Sequence, residues 1–205
     1  MIANEADART YCEAVAGPVS TALLVRFADL LTRENERQNL LAHSSLPQLW
    51  QRHIADSVQL LNHVPRGTGE WLDLGSGAGF PGVPIAIAEP TRQVVLVESR
   101  RLRAEWLRTS AQILGLRNVT VVLSRLENVE TRPAGVISAR AFAPLEKLLR
   151  LSTRFSTPDT HWVLPKGRSA GQELQEQPAR VRAMFHVEPS LTDAQAGILV
   201  GRGVL

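Results

Sequence analysis

The chain has a single cysteine, Cys12, among 205 residues, so it forms no internal disulfide and offers no thiolate cluster for a metal. A lone thiol of this kind is expected to be buried and inert. Lysine is nearly missing. Lys147 and Lys166 are the two lysines, and arginine supplies the rest of the 23 basic residues. Arginine suits bidentate phosphate contacts, and a net charge of +3 favours an acidic partner such as nucleic acid, although a coding bias toward arginine produces the same excess. No unbroken apolar run reaches the roughly 18 residues of a membrane span. The stretch Met1 to Ala8 carries Glu5 and Asp7 where a secretory leader needs a basic segment followed by an apolar one. A cytoplasmic protein with no membrane contact and no metal is expected. Repeats, low-complexity tracts and flexible linkers are absent as well, and 44% hydrophobic content is enough for a sizeable core.

What is present divides into two parts. An amphipathic helix is predicted over residues 22–35, where Leu23, Leu24, Phe27, Leu30 and Leu31 recur at helical spacing. A second helix is predicted to start with Ser45 as N-cap and Pro47 in its first turn, and to end before Pro65. Its stripe is Leu46, Leu49, Trp50, Ile54, Val58 and Leu61, with His53 on or beside it, so a satisfied core histidine is the plain reading of His53. These helices make an N-terminal helical extension, 1–64, ahead of an α/β domain, 65–205.

From residue 70 strand-like runs alternate with helix-like ones. The runs 70–74, 93–98, 119–123, 135–138 and 161–164 read as strands, and 99–114, closed by Gly115, reads as a helix, as does a stretch opening at Pro144 with Leu145, Leu148 and Leu149. Val94 to Val97 is apolar throughout, which indicates burial on both faces and a parallel sheet between helices. Runs 183–187 and 197–202, with no convincing helix between them, read as a closing antiparallel hairpin. The expectation is a mostly parallel seven-stranded sheet with an antiparallel C-terminal edge.

The first of these strands runs into four glycines, Gly75, Gly77, Gly79 and Gly82. Such a loop lets the backbone take positive φ and lets a ligand approach where a Cβ would collide. The second strand ends in Glu98, placed to accept hydrogen bonds from two ribose hydroxyls. A dinucleotide or S-adenosylmethionine fits this arrangement. The segment from Gly77 to Gly82 formally matches GxGxxG, but Pro81 and Pro84 fall where a dinucleotide needs a smooth helix start, and the alternation begins already at Gly75, in the GxGxG register of methyltransferases. Asp73 has two readings of equal weight: a carboxylate beside a sulfonium and an α-amino group, or one that orients the loop backbone.

The segment Leu72-Asp73-Leu74-Gly75-Ser76-Gly77-Ala78-Gly79-Phe80-Pro81-Gly82 resembles the motif of the RsmG (GidB) family, bacterial 16S rRNA guanine-N7 methyltransferases that use S-adenosylmethionine. Asn39-Leu40 with Arg52-His53-Ile54-Ala55-Asp56-Ser57, the stretch Ser138 to Leu145, and Leu164-Pro165-Lys166-Gly167 are similar to three further segments of that family. The similarity covers about residues 20–170. It departs from the family pattern where Ala139 separates Ser138 from Arg140 and where Pro165 precedes Lys166.

The resemblance implies a Rossmann-like class I methyltransferase fold and methyl transfer from S-adenosylmethionine to a guanine N7 in the decoding-region loop of 16S rRNA, as naked RNA or as a small-subunit particle. It implies that Gly75 and Phe80 contact the cofactor beside Gly77 and Glu98, that Leu126 and Glu127 flank the adenine, and that Arg140 completes the pocket. Arg52, Arg140 and Lys166 suit phosphates or the guanine O6 edge, and Asn39 and His53 become candidates for positioning the base. Core packing for Leu126, a solvated carboxylate for Glu127 and a surface ion pair for Arg140 are the plain readings of those three. Arg101 and Arg108 flank Glu105 at ion-pair spacing on helix 99–114, whereas Arg100 and Arg103 are less constrained. N7 carries a lone pair and no proton, so no catalytic acid or base is assigned. A monomer is expected. A nicotinamide-dependent oxidoreductase and a non-catalytic RNA-binding module of methyltransferase fold are the alternatives.

Overall fold

The structure, a computed structural model, describes residues 1–205. Helix α1 runs Glu5–Gln38. Asn4 fixes its start by accepting the Asp7 N–H at 2.9 Å, and Asn39 closes its end in the left-handed region at φ 47°. Asparagine tolerates that conformation better than most residues, so Asn39 has a structural reason to be where it is. The helix starts well before the predicted 22–35 because it passes through a kink at Gly17 (φ 81°) and Pro18. An 18-residue window of α1 has a mean hydropathy of 1.5, so α1 is long and apolar enough for a membrane span by length and composition only, a test that a buried core helix also passes. Its apolar stripe of Leu24, Phe27, Ala28 and Leu31 is buried in the protein's own core. Cys12 is fully buried there too, and burial pushes its thiol up to about 12, which leaves it inert.

The second predicted helix is a succession of short turns. A 3-10 segment (His43–Gln48), a π-helical turn (Trp50–Ala55), one α turn α2 (Asp56–Val58) and a further 3-10 segment (Gln59–His63) follow one another. Ser45 is not an N-cap; it lies inside the first segment and its hydroxyl donates to the Ala42 carbonyl at 2.8 Å. Pro47 removes a donor inside that segment, and the wide π turn carries both Arg52 and His53.

The sheet comprises β1 (Trp71–Leu74), β2 (Val94–Glu98), β3 (Val119–Leu123), β4 (Val136–Ala139), β5 (His161–Gly167), β6 (Phe185–Pro189) and β7 (Gly197–Arg202), in the order β3-β2-β1-β4-β5-β7-β6. The first five strands are parallel, and β7 is antiparallel to both β5 and β6. This is the mostly parallel sheet with an antiparallel edge that the sequence implies. Helices α3 (Gly82–Ala88), α4 (Arg101–Leu114), α5 (Leu145–Ser152), α6 (Ala170–Gln175) and α7 (Ala179–Met184) connect the strands. Gly115 closes α4 at φ 69°, as its position predicts.

Side chains alternate across β1. Trp71 packs with Leu24, Phe27, Trp50, Ile54 and Ile85 on one face, while Leu72 and Leu74 pack with Leu148, Phe155 and Trp162 on the other. The segment 1–64 therefore shares a hydrophobic cluster with the sheet. Strand order reverses on either side of β1, which sets a crevice at the carboxyl ends of β1, β2 and β4.

Candidate active site

The loop after β1 is held by backbone bonds to the neighbouring strand: the Gly75 and Ser76 N–H groups donate to the Val97 carbonyl at 2.9 and 3.1 Å. Gly75 (φ 72°) and Gly77 (φ 55°) then turn the chain through conformations that disfavour a Cβ. Glu98 fastens the loop to α4, with one carboxylate oxygen accepting the Gly77 N–H at 3.0 Å and the other the Arg100 N–H at 2.7 Å. It is buried, and each oxygen retains a further lone pair.

Asp73 is fully buried at the end of β1. It accepts the Ser138 hydroxyl at 2.8 Å and the Gly82 N–H at 3.2 Å, and Ser138 in turn accepts the Trp71 indole N–H at 2.8 Å. Of its two readings, this geometry is that of a carboxylate orienting the backbone. Burial raises its pKa to about 6, against the hydrogen bonds that favour the ionised form. Gly82 permits the close approach, because a Cβ there would lie 2.2 Å from the Leu96 side chain and 2.9 Å from an Asp73 oxygen.

On the other side of the crevice, Arg140 follows β4. Its guanidinium lies 3.6 Å from Asp56, donates to the Arg52 carbonyl at 3.3 Å and sits 5.0 Å from the Phe80 ring centre. The other Asp56 oxygen accepts Gln59 at 2.8 Å and Thr192 at 2.9 Å. Burial pushes the Asp56 carboxyl up and the Arg140 guanidinium down, and their mutual attraction opposes both shifts. The His53 ring stacks on Phe80 at 5.3 Å, and its two buried nitrogens have no hydrogen-bond partner. Burial, with the Arg140 and Arg52 charges adding to it, pulls His53 to about 3 and keeps the imidazole neutral. An unpaired buried polar atom costs about 1–3 kcal/mol, and a ligand that offers a donor and an acceptor removes that cost.

A cavity of about 1020 Å³ opens at the carboxyl ends of β4 and β5, bordered by Arg52, Asp56, Arg140, Phe142, Lys166 and Arg168. Lys166 is nearly buried beside it; its ammonium donates to the Ala143 carbonyl at 3.1 Å and pairs with Glu173 at 3.0 Å. Glu173 also accepts the Leu145 N–H at 3.1 Å, so the two side chains together hold the far end of the loop after β4.

Residues 20–197 match the GidB family model, described as rRNA small subunit methyltransferase G. The chain belongs to the GidB family. A relative from Erythrobacter litoralis, named ribosomal RNA small subunit methyltransferase G, is 57% identical and is covered over 98% of its length by 99% of this chain. Among solved structures, a putative O-methyltransferase from Klebsiella pneumoniae aligns with a TM-score of 0.58 at 20% identity, over 87% of this chain and 90% of that one. A MtNAS variant in complex with S-adenosylmethionine aligns with a TM-score of 0.55 at 15% identity, over 90% and 76% respectively. At such identities the likeness is one of fold, the class I methyltransferase fold. Together with family membership it makes this GidB chain an S-adenosylmethionine-dependent methyltransferase, and the oxidoreductase alternative is set aside.

The GidB chain fits that cofactor on its own residues: a Cβ on Gly77 would meet nothing nearer than 3.7 Å, Glu98 has lone pairs for hydroxyls, and the buried His53 nitrogens lack a partner. The structure brings Arg52, His53, Phe80 and Arg140 together and, at the glycine loop, Gly77 with Glu98; Arg52 and Arg140 also line the cavity. Phe80 is buried beneath Phe27, His53 and Arg140, which leaves its backbone rather than its ring to meet a ligand. Leu126 is buried in the core and Glu127 is exposed, both in the short turn after β3. Asn39 is an exposed helix cap, and Lys166 anchors a loop while lining the cavity. The pairing Arg101–Glu105 forms at 2.9 Å, whereas Arg108 turns away to the Val121 carbonyl. Asp56, Ser138 and Phe142 were not singled out from the sequence. Each stands inside a family-like segment, and that was the only sequence signal they carried.

Proposed function

We propose that this GidB chain methylates N7 of a guanine in the decoding-region loop of bacterial 16S rRNA, acting in the cytoplasm as a monomer without a metal. The observation that carries this reading is the match to the family model over residues 20–197. S-adenosylmethionine, when bound, supplies a methyl group on a cationic sulfur. Gly75, Gly77, Glu98 and Arg140 bind it, with Leu126 and Glu127 at its adenine end. Arg52 and Arg168, on the cavity beside Arg140, take up RNA phosphate or the guanine O6 edge.

The chain's task is orientation. Guanine N7 needs no deprotonation, so the protein gains most by holding the base in line with the transferable methyl, a proximity effect of about 7–11 kcal/mol. His53, held neutral, gives the base or the cofactor a hydrogen bond without placing another cation near a positive sulfur. Asp56 holds Arg140 in place and balances its charge. The test is to delete the gene in the source bacterium and map N7-methylguanine in 16S rRNA by reduction and aniline cleavage. One cleavage present in the parent should vanish and return with the wild-type gene. An unchanged pattern would overturn the reading.

A further inference from the structure

Phe142 occupies a place that neither the loop nor the cavity explains alone. The three atoms nearest to a Cβ built on Gly75 all belong to the Phe142 ring, the first at 2.5 Å. The same ring borders the acceptor cavity, which the glycines themselves do not reach. Phe142 thus touches both the glycine loop, to which the cofactor is assigned above, and the cavity beside it.

The ring is held there. Arg140 is tied to Asp56 and to the Arg52 carbonyl on one side, and Ala143 and Leu145 are tied to Lys166 and Glu173 on the other. Between the anchors, Ala141 takes a left-handed φ of 52°, a conformation that costs a non-glycine residue energy and persists where the surroundings impose it. The half-buried ring also packs against the core cluster of Leu72 and Leu74.

The chemistry at that position selects an aromatic. The donor carries a positive sulfur, and Arg140 nearby is a second cation already balanced by Asp56. Asp73 has both its oxygens committed to Ser138 and Gly82, and Glu98 sits at the end of the neighbouring strand. The π face of Phe142 offers negative quadrupole density with no proton to exchange and no acceptor lone pair to compete for the methyl. We infer that Phe142 is a cofactor-contact residue whose ring packs against the sulfonium and its methyl group, and so distinguishes the charged donor from its neutral product. This rests on the assignment of the cofactor to the glycine loop.

The test is calorimetric titration of the purified chain with S-adenosylmethionine and with S-adenosylhomocysteine, which differ by one methyl and one positive charge. Phe142→Leu and Phe142→Met keep apolar bulk and remove the aromatic face; Phe142→Tyr keeps it. The two aliphatic variants should bind S-adenosylmethionine about tenfold more weakly and S-adenosylhomocysteine within about twofold of wild type, with Phe142→Tyr close to wild type for both. Equal weakening of both ligands would reduce Phe142 to a packing role and overturn the inference, as would no change in either. A wild-type chain that bound neither ligand would overturn the cofactor assignment itself. Circular dichroism confirms that each variant is folded.

Discussion

Single residues at the crevice show environment deciding chemistry. Asp73 is fully buried and His53 half-buried, both near Arg140, and loss of water moves them in opposite directions. Asp73 titrates at about 6 in the folded chain against an ordinary 3.8, so the native state keeps a proton that the unfolded chain has released in between. Its contribution to stability is whole below the lower value and is lost as pH rises toward the higher one. His53 titrates at about 3 against an ordinary 6.5, so its contribution is whole above the ordinary value and is lost as pH falls toward the lower one. Over the shared range the two oppose each other. Urea unfolding at neutral pH and at about pH 4.5 should therefore show a steeper acid loss of stability in Asp73→Asn than in wild type, and a shallower one in His53→Phe. Identical slopes in all three proteins would contradict these environments.

At the scale of elements, the loop between β4 and α5 is the piece whose position depends most on side chains from elsewhere. Lys166 on β5 and Glu173 on α6 hold its far end through one backbone carbonyl and one backbone N–H. Lys166→Met keeps the stem of the side chain and removes the ammonium, leaving Glu173 unpaired at a half-buried site. The expected result is a fall of about tenfold in kcat for rRNA methylation, at a stability cost of about 1–2 kcal/mol from the broken charge-assisted bonds. Single-turnover methylation assays and urea denaturation measure the two; a raised KM at constant kcat would instead make Lys166 an RNA contact. The same element explains a limit of sequence reasoning. A lysine in a family-like segment invites a role in RNA binding, and only packing shows that its charge is already neutralised.

For the whole molecule, the helical segment 1–64 and the sheet share their core. Leu24, Phe27 and Trp50 pack with Trp71 and Leu96, the Ile2 N–H donates to the Leu191 carbonyl at 2.7 Å, and Gln59 and Asp56 bond to Leu191 and Thr192 in the β6–β7 connection. The first and last parts of the chain are thus stitched through the segment between them. We expect one cooperative unfolding transition, with circular dichroism and tryptophan fluorescence coincident in urea, since Trp50 reports on the helical segment and Trp162 on the opposite face of the sheet. Two separated transitions would mean that the helical segment melts by itself.

The sequence by itself determined the strands, a mostly parallel sheet and the closing hairpin, because continuous apolar runs and glycine punctuation are local signals of burial and turning, whereas the strand order came from the structure. It also located the glycine loop and Glu98 at the strand ends, where the structure has them. Tertiary structure decided the rest. The long α1 escaped the pattern because it continues through a kink at Gly17 and Pro18, and the π turn because its wider hydrogen bonding has no local sequence signal; the short α6 and α7 offered too few residues for a period. Asp73 as a backbone clamp, Lys166 as a loop anchor, His53 without partners and Phe142 against Gly75 are facts about neighbours dozens of residues away in the chain. Burial and pairing set the charge and freedom of a side chain, and neither is a property of the residue alone.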